Sequence, residues 1–195
     1  MKKTKDQLFW EFSLKHYSEP EVEQNLLYLQ NHYGFNVNMV LFCCWYGVEG
    51  LGRLSQKRLH TIDDDIKLWH ERIIKPLRRL RKTMKEYQEG NDDVLRTELV
   101  AEKAEQKMIV SHVVYTRHRV KSPIVKLADI CKSLCNCCRI RAICLNDEGV
   151  DSFVTILSKI FHMISLDEVA NIVTEHLFES NGMGGTVGTQ MWLEL

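Results

Sequence analysis

The sequence predicts an all-α fold: a single compact helical domain of about seven or eight helices around one central apolar helix. Three observations carry this expectation. The run Asn36-Val-Asn-Met-Val-Leu-Phe-Cys-Cys-Trp-Tyr-Gly47 is the most concentrated apolar stretch in the chain, with two asparagines at its start and a glycine at its end. It is too short to cross a bilayer, which takes about 20 residues, and suits a buried helix. Farther on, Ile62, Ile66, Trp69, Ile73, Leu77, Leu80 and Met84 recur at intervals of three and four. That period belongs to a helix and cannot be produced by a strand. Finally, three S/T-x-x-E/Q boxes stand before apolar stripes, at Thr4, Ser18 and Ser165, and each satisfies orphan N–H groups at a helix start.

Thr4 caps a first helix, with Gln7 completing the box and Trp10, Leu14 and Tyr17 on one face. Ser18-Glu-Pro-Glu21 opens a second helix, with proline in the first turn, where its missing N–H costs little. Val22, Leu26, Leu29 and Tyr33 form its stripe, and Gly34 ends it. Asn36 caps the central helix. Gly47, Gly50 and Gly52 loosen the chain before a long helical segment from Ser55 or Thr61 to Glu89, which Pro76 should kink. Gly90-Asn-Asp-Asp93 is a turn and cap. Residues 94–107 are the most polar, with Glu98, Glu102, Lys103, Glu105 and Lys107, and read as a solvent-facing helix. Ile109–Val114 is read as helical although its β-branched residues favour a strand. Ser122-Pro123 restarts a helix through Ile124, Leu127, Cys131, Leu134 and Cys138. Asn146-Asp-Glu-Gly149 breaks the chain, and Phe153, Leu157, Ile160 and Ile164 mark the next helix. Ser165–Glu168 leads into Val169, Ile172, Val173 and Leu177. The domain is expected to span residues 1–179, with residues 180–195 a glycine-rich tail, flexible by composition, that ends in Met191-Trp-Leu-Glu-Leu195.

At 195 residues and 45% hydrophobic content, one domain can bury a sizeable core without disulfide or metal staples. Lys plus Arg and Asp plus Glu balance at 26 each, which argues against a surface wholly given over to nucleic acid. No signal peptide is visible, because Asp6, Glu11 and Lys15 interrupt the stretch after the basic start. The seven cysteines are therefore expected as reduced thiols. The expected location is the cytoplasm, or its membrane face through a partner, with no transmembrane segment.

Each candidate site has a structural reading beside its functional one. Cys131, Cys135, Cys138 and Cys144 contain a C-x-x-C, but a structural zinc site needs four converging ligands and there is no second pair of that spacing. The favoured reading places Cys131 and Cys138 on an apolar helix face as small hydrophobes, so no metal and no cofactor are expected. Arg72, Lys75, Arg78, Arg79, Arg81, Lys82 and Lys85 form an acid-free basic segment that could meet phosphates or an acidic protein surface. No aromatic residues interleave with the arginines to stack bases. Asp63-Asp-Asp65 reads as an acidic first helical turn, since adjacent carboxylates point apart. Aromatic residues crowd the first seventy positions, neighbours such as Trp45 and Tyr46 among them. They exceed what one face per helix can bury, so Trp45, Tyr46 and the tail residue Trp192 are candidate anchors for a partner.

Several pieces together form a pattern: Trp10-x-Phe12, Tyr17-Ser-x-Pro20-x-Val22, Leu29-Gln30, Tyr33-Gly-x-Asn36-Val-Asn38, Leu41-Phe-Cys43-x-Trp45-x-Gly47, Trp69, and Pro76-Leu-Arg-Arg-Leu-Arg81. The chain up to about Arg81 resembles an uncharacterised family of small proteobacterial cytoplasmic proteins. That resemblance brings no activity and no catalytic residues. In size, helical content and want of a catalytic set, the chain is also similar to the small adaptors, type IVB coupling-complex subunits among them, that hold substrates at a secretion ATPase.

The expected function is that of a non-enzymatic protein-binding adaptor or chaperone with an apolar groove for an amphipathic partner helix. In a bacterial secretion system its partners would be a coupling ATPase, other adaptors or effector-type substrates, which would make it a virulence component. The alternatives are a nucleic-acid-associated regulator using residues 72–85 and a metal or redox protein using Cys131–Cys144.

Overall fold

A computed structural model describes residues 3–85, 91–114 and 121–178. The order is α1 (Lys5–Tyr17), α2 (Pro20–Tyr33), α3 (Val37–Val48), α4 (Gln56–Trp69), α5 (Lys75–Met84), α6 (Asn91–Ser111), α7 (Pro123–Ile140), α8 (Asp147–Ile160) and α9 (Leu166–Phe178). Among the described residues there is no strand, so the fold class is all-α as the periodicity predicts. The β-branched stretch from Ile109 also starts helical, because Ile109 and Val110 are buried in the core side of α6.

Helix α3 is the centre. Every residue from Asn38 to Gly47 is buried, and α1, α6 and α7 pack around it. Asn36 caps it by accepting from Asn38 N at 2.9 Å. A Cβ on Gly47 would lie 2.2 Å from Ile130 Cγ1 and 3.2 Å from the Lys126 carbonyl, so glycine permits the close approach of α3 to α7. Helix α2 packs on α8, and α9 packs on both α7 and α8. Helix α4 rests on α6 and α7, and α5 on α6.

The caps expected at Thr4, Asn36, Ser122 and Ser165 form, and the one expected at Ser18 does not. The Thr4–Gln7 box forms, Ser55 caps α4, Ser122 caps α7 and Asn146 caps α8. Glu168 N donates to Ser165 Oγ at 3.3 Å. The Ser18–Glu21 box does not form: Ser18 ends α1 and donates to the Lys15 carbonyl, while Glu19 is the N-cap residue of α2, with Pro20 in the first turn. Gly34 ends α2 with φ 71°, a left-handed residue that glycine adopts freely.

Between α4 and α5 the helix is continuous but passes through one wide turn, a π-helical stretch over His70–Ile74. Proline clashes with the carbonyl four residues before it, here that of Arg72, so the expected kink at Pro76 is accommodated by widening the turn ahead of it. The extra residue shifts the buried stripe. Ile62 and Ile66 are buried as predicted, but the next core residue is Ile74 rather than Ile73, and Ile73 and Leu80 are exposed. Asp63–Asp65 lies mid-helix, not in a first turn; its members diverge to Arg141, His60 and His112 respectively.

A polar cluster and an open cleft as candidate functional site

Helix α6 departs most from expectation. It is not solvent-facing: Glu98, Ala101, Glu105, Gln106, Ile109 and Val110 form a buried face at helical spacing. Carboxylates reach such positions only with partners, and these come from three other places: the opening of α3, the wide turn and α5. Glu105, fully buried, collects three donors: Asn38 Nδ2 at 2.6 Å, Asn36 Nδ2 at 3.2 Å and His70 Nδ1 at 2.8 Å. The N-V-N segment that opens α3 thus supplies two donors to one carboxylate, and the wide turn before α5 delivers the third. Glu98 is held by Arg78 Nε at 3.2 Å and by both Nε and Nη2 of Arg81. Arg78 also donates to Glu102 at 2.8 Å and to Gln30. Burial pushes the Glu102 carboxyl above its ordinary range, against the pull of Arg78 and with the like charges of Glu98 and Glu105 adding to the rise. The Arg81 guanidinium is raised further by its bonds to Glu98.

Asn38, Arg78, Arg81, Glu98 and Glu102 of this cluster line a half-open cleft of about 200 Å³, with Asn36, His70 and Glu105 outside its lining. Helix α1 contributes Trp10, Ser13, Leu14 and Tyr17; α2 contributes Glu23, Leu27 and Gln30; α3 contributes Asn38 and Leu41. Arg78 and Arg81 enter from α5, and Leu95, Glu98, Leu99, Glu102 and Gln106 from α6. The predicted stripe Trp10–Leu14–Tyr17 is therefore the cleft face of α1, while Phe9, Ser13 and His16 form its buried face. Around the cleft, Leu14 is 49%, Leu95 39% and Leu99 40% exposed. Burial lifts the Tyr17 hydroxyl to about 12.

The structure redistributes the predicted site residues. Trp45 and Tyr46 are buried and serve the core, which corrects their reading as partner anchors. The Trp45 ring lies 5.3 Å from Phe9, and the Tyr46 hydroxyl accepts from Arg58 at 2.9 Å. Arg78 and Arg81 are likewise turned inward: the acidic surface they meet is α6 of the same chain. Arg72, Arg79 and Lys82 remain exposed, and Lys75 pairs with Glu71 at 2.7 Å. Trp192 and the tail 180–195 lie outside the described residues. Cys131, Cys135 and Cys138 are buried along α7, and Cys144 is exposed. Burial lifts the Cys131 thiol to about 12 and Cys138 higher still. The shortest thiol approach is Cys43 Sγ to Cys137 Sγ, 3.6 Å. Among the described residues no three His, Cys, Asp or Glu side chains converge as a metal-ligand set, and no helix is long and apolar enough to cross a membrane.

Sequence reasoning missed Glu98, Glu102, Glu105, Gln106 and His70 as site residues. A signal was present: Glu98, Glu102 and Glu105 keep helical phase with Ala101 and Ile109.

A family model described as "Protein of unknown function (DUF2390)" matches residues 8–109, just over half of the chain. The match passes Arg81, where the resemblance in the sequence stops, and takes in every residue of the cleft and of the polar cluster. Helices α7–α9 lie beyond it. No curated protein and no solved structure matches the chain.

Proposed function

The chain belongs to the DUF2390 family of unknown function, and from the shape and lining of its cleft we propose that it is a non-enzymatic protein-binding module, an adaptor or chaperone, whose docking groove is the cleft between α1, α2, α5 and α6. One observation supports this reading above others. Three leucines from two helices stand exposed around a concave surface whose floor is rigidly hydrogen-bonded. An amphipathic helix inserts apolar residues into such a rim at intervals of three and four. The contrast between apolar rim and polar floor would fix its register. Presentation of substrates to a coupling ATPase of a bacterial secretion system is the finer form of this reading, and it would place the protein at the cytoplasmic face of the membrane through its partner.

The test is a comparison of the native chain with Leu14→Glu/Leu99→Glu. Partners retained from the source lysate are identified by mass spectrometry, produced alone and titrated calorimetrically. The expected result is a defined partner whose affinity falls at least about tenfold in the variant, since central apolar anchors dominate such interfaces. A partner that binds both forms equally would move the interface elsewhere.

A further inference from the structure

Within the same cleft, the hydrogen-bond chain that leads out from Glu105 ends on an atom with nothing to bind. Asn38 Nδ2 faces the Glu105 carboxylate, which accepts and cannot donate, so the orientation of the Asn38 amide is fixed. Asn38 Oδ1 therefore points to Gln106, whose Nε2 donates to it at 2.8 Å and to Ser13 Oγ at 3.0 Å. That fixes the Gln106 amide in turn. Its Oε1 is buried and has no hydrogen-bond partner, although Gln106 is 3% exposed and lines the cleft. A buried acceptor without a donor is costly, and native structures seldom keep one without a use.

The charges around it have the matching sign. Three carboxylates line the cleft, Glu23, Glu98 and Glu102, against two guanidiniums, Arg78 and Arg81. Both guanidiniums are spent on Glu98, Glu102 and Gln30. Glu23, which also lines the cleft, has no ion pair among the described residues. The cleft offers acceptors and negative charge within, and apolar surface at its mouth.

We propose that the inner end of the cleft is a cation site, which receives the ammonium or guanidinium of a lysine or arginine carried on the docked partner helix. Such a head brings three or five donors and no acceptor. Its aliphatic stem lies along Leu14, Leu99 and the Tyr17 ring, as long basic side chains do on apolar surfaces, beside the Trp10 ring, over which Lys103 Nζ already stands at 5.4 Å. Gln106 Oε1 and the Glu102 and Glu23 carboxylates take the donors. This assignment rests on the docking reading above and specifies what the partner must carry.

The probe is n-hexylguanidinium, with n-hexanol as its neutral counterpart, titrated into the full chain. Side-chain resonances of Gln106 and Trp10 are followed by NMR. Saturable shifts with the guanidinium and not the alcohol are expected. Gln106→Met should weaken binding roughly tenfold by removing the acceptor. Glu23→Gln, at a position that makes no internal ion pair among the described residues, should weaken it several-fold while leaving the melting temperature unchanged. It carries the test if Gln106→Met does not fold. Equal response to n-hexanol would reduce the cleft to an apolar slot and overturn the proposal. Absence of saturable shifts would also overturn it, leaving a trapped water as the partner of Oε1. The probe should compete with the partner helix; binding without competition would overturn the assignment to a partner side chain. The Leu14→Glu/Leu99→Glu comparison reads docking independently of the probe, so a failure of the cation site and a failure of the groove are distinguishable.

Discussion

Asn38 and Gln106 meet across the contact of α3 with α6, carboxamide to carboxamide, at 2.8 Å. One belongs to the N-V-N opening of the central helix and the other to the helix that carries the buried carboxylates. Through this pair the polar cluster and the open cleft form one connected network, so a change at Glu105 should reach the cleft.

Glu105→Ala is expected to destabilise the protein by about 3–5 kcal/mol, the range for breaking a buried charged cluster from one side. Asn36, Asn38 and His70 would lose their shared acceptor. Urea unfolding measures the loss. Any fraction that still folds should show altered Gln106 side-chain resonances, because Asn38 is no longer pinned.

The basic segment should divide into two classes. Arg79→Glu/Lys82→Glu changes exposed charges and should alter stability by no more than about 0.5 kcal/mol. Arg78→Glu/Arg81→Glu places new acids against Glu98, 3% exposed, and should prevent folding at 37 °C. Circular dichroism melts of the two double variants separate these outcomes. Binding to random DNA that is lost in the first variant would favour a nucleic-acid role for the exposed cations.

His16 gives the fold an acid-sensitive point. It is 5% exposed, packs on Phe12 and has an Nδ1 without a hydrogen-bond partner. Desolvation, and after it the Lys15 charge, holds its pKa below the ordinary 6.5, with Glu19 opposing. A lowered basic group contributes stability that is fully present above 6.5 and is lost as pH falls through the folded-state pKa. His16→Gln should flatten the part of the acid limb just below pH 6.5 in a stability–pH profile, leaving the carboxylate-driven loss at lower pH. An unchanged limb would show that His16 does not titrate across unfolding.

The thiols should separate by burial. With six buried cysteines and Cys144 exposed, a native sample should react rapidly with a thiol reagent at one site per chain, and with the rest after denaturation, since buried neutral thiols are inert. Cys144→Ser should abolish the rapid phase. Rapid reaction of several thiols in the native state would contradict the α7 packing.

Much of the fold was legible because its elements announce themselves locally. Asn36 and Ser122 cap where their side chains predict, Ser55 proves the start of α4 rather than Thr61, and the stripes of α2, α3, α8 and α9 and the α7 stripe from Leu127 to Cys138 face the core, while Ile124 is exposed. The site was not legible, for two physical reasons. Glu98, Glu102 and Glu105 read as solvent-facing because an acid's default is water; what overrides it is the arrival of Arg78, Arg81, Asn36, Asn38 and His70 from elements distant in sequence. Conversely, Trp10, Leu14 and Tyr17 are visible as a stripe, but a stripe does not say whether another element covers it. Trp45 and Tyr46 illustrate the same limit from the other side. As neighbours on α3 they are too many for one face, yet the central helix is enclosed all round and buries both.

The wide turn at His70–Ile74 has a consequence for how this chain tolerates insertion and deletion. Each residue of an α-helix advances the azimuth by about 100°. Removing one residue from that turn would restore an unbroken α-helix and rotate all of α5 by about that angle about its own axis. Arg78 and Arg81 would swing away from Glu98, and the exposed Arg79 and Leu80 would turn toward other neighbours, without a single side chain having been exchanged. The facing of α5, and with it one wall of the cleft, is thus encoded in a count of residues as much as in their chemistry. Relatives that differ in length between Trp69 and Pro76 are expected to differ in which basic side chains they hold inside.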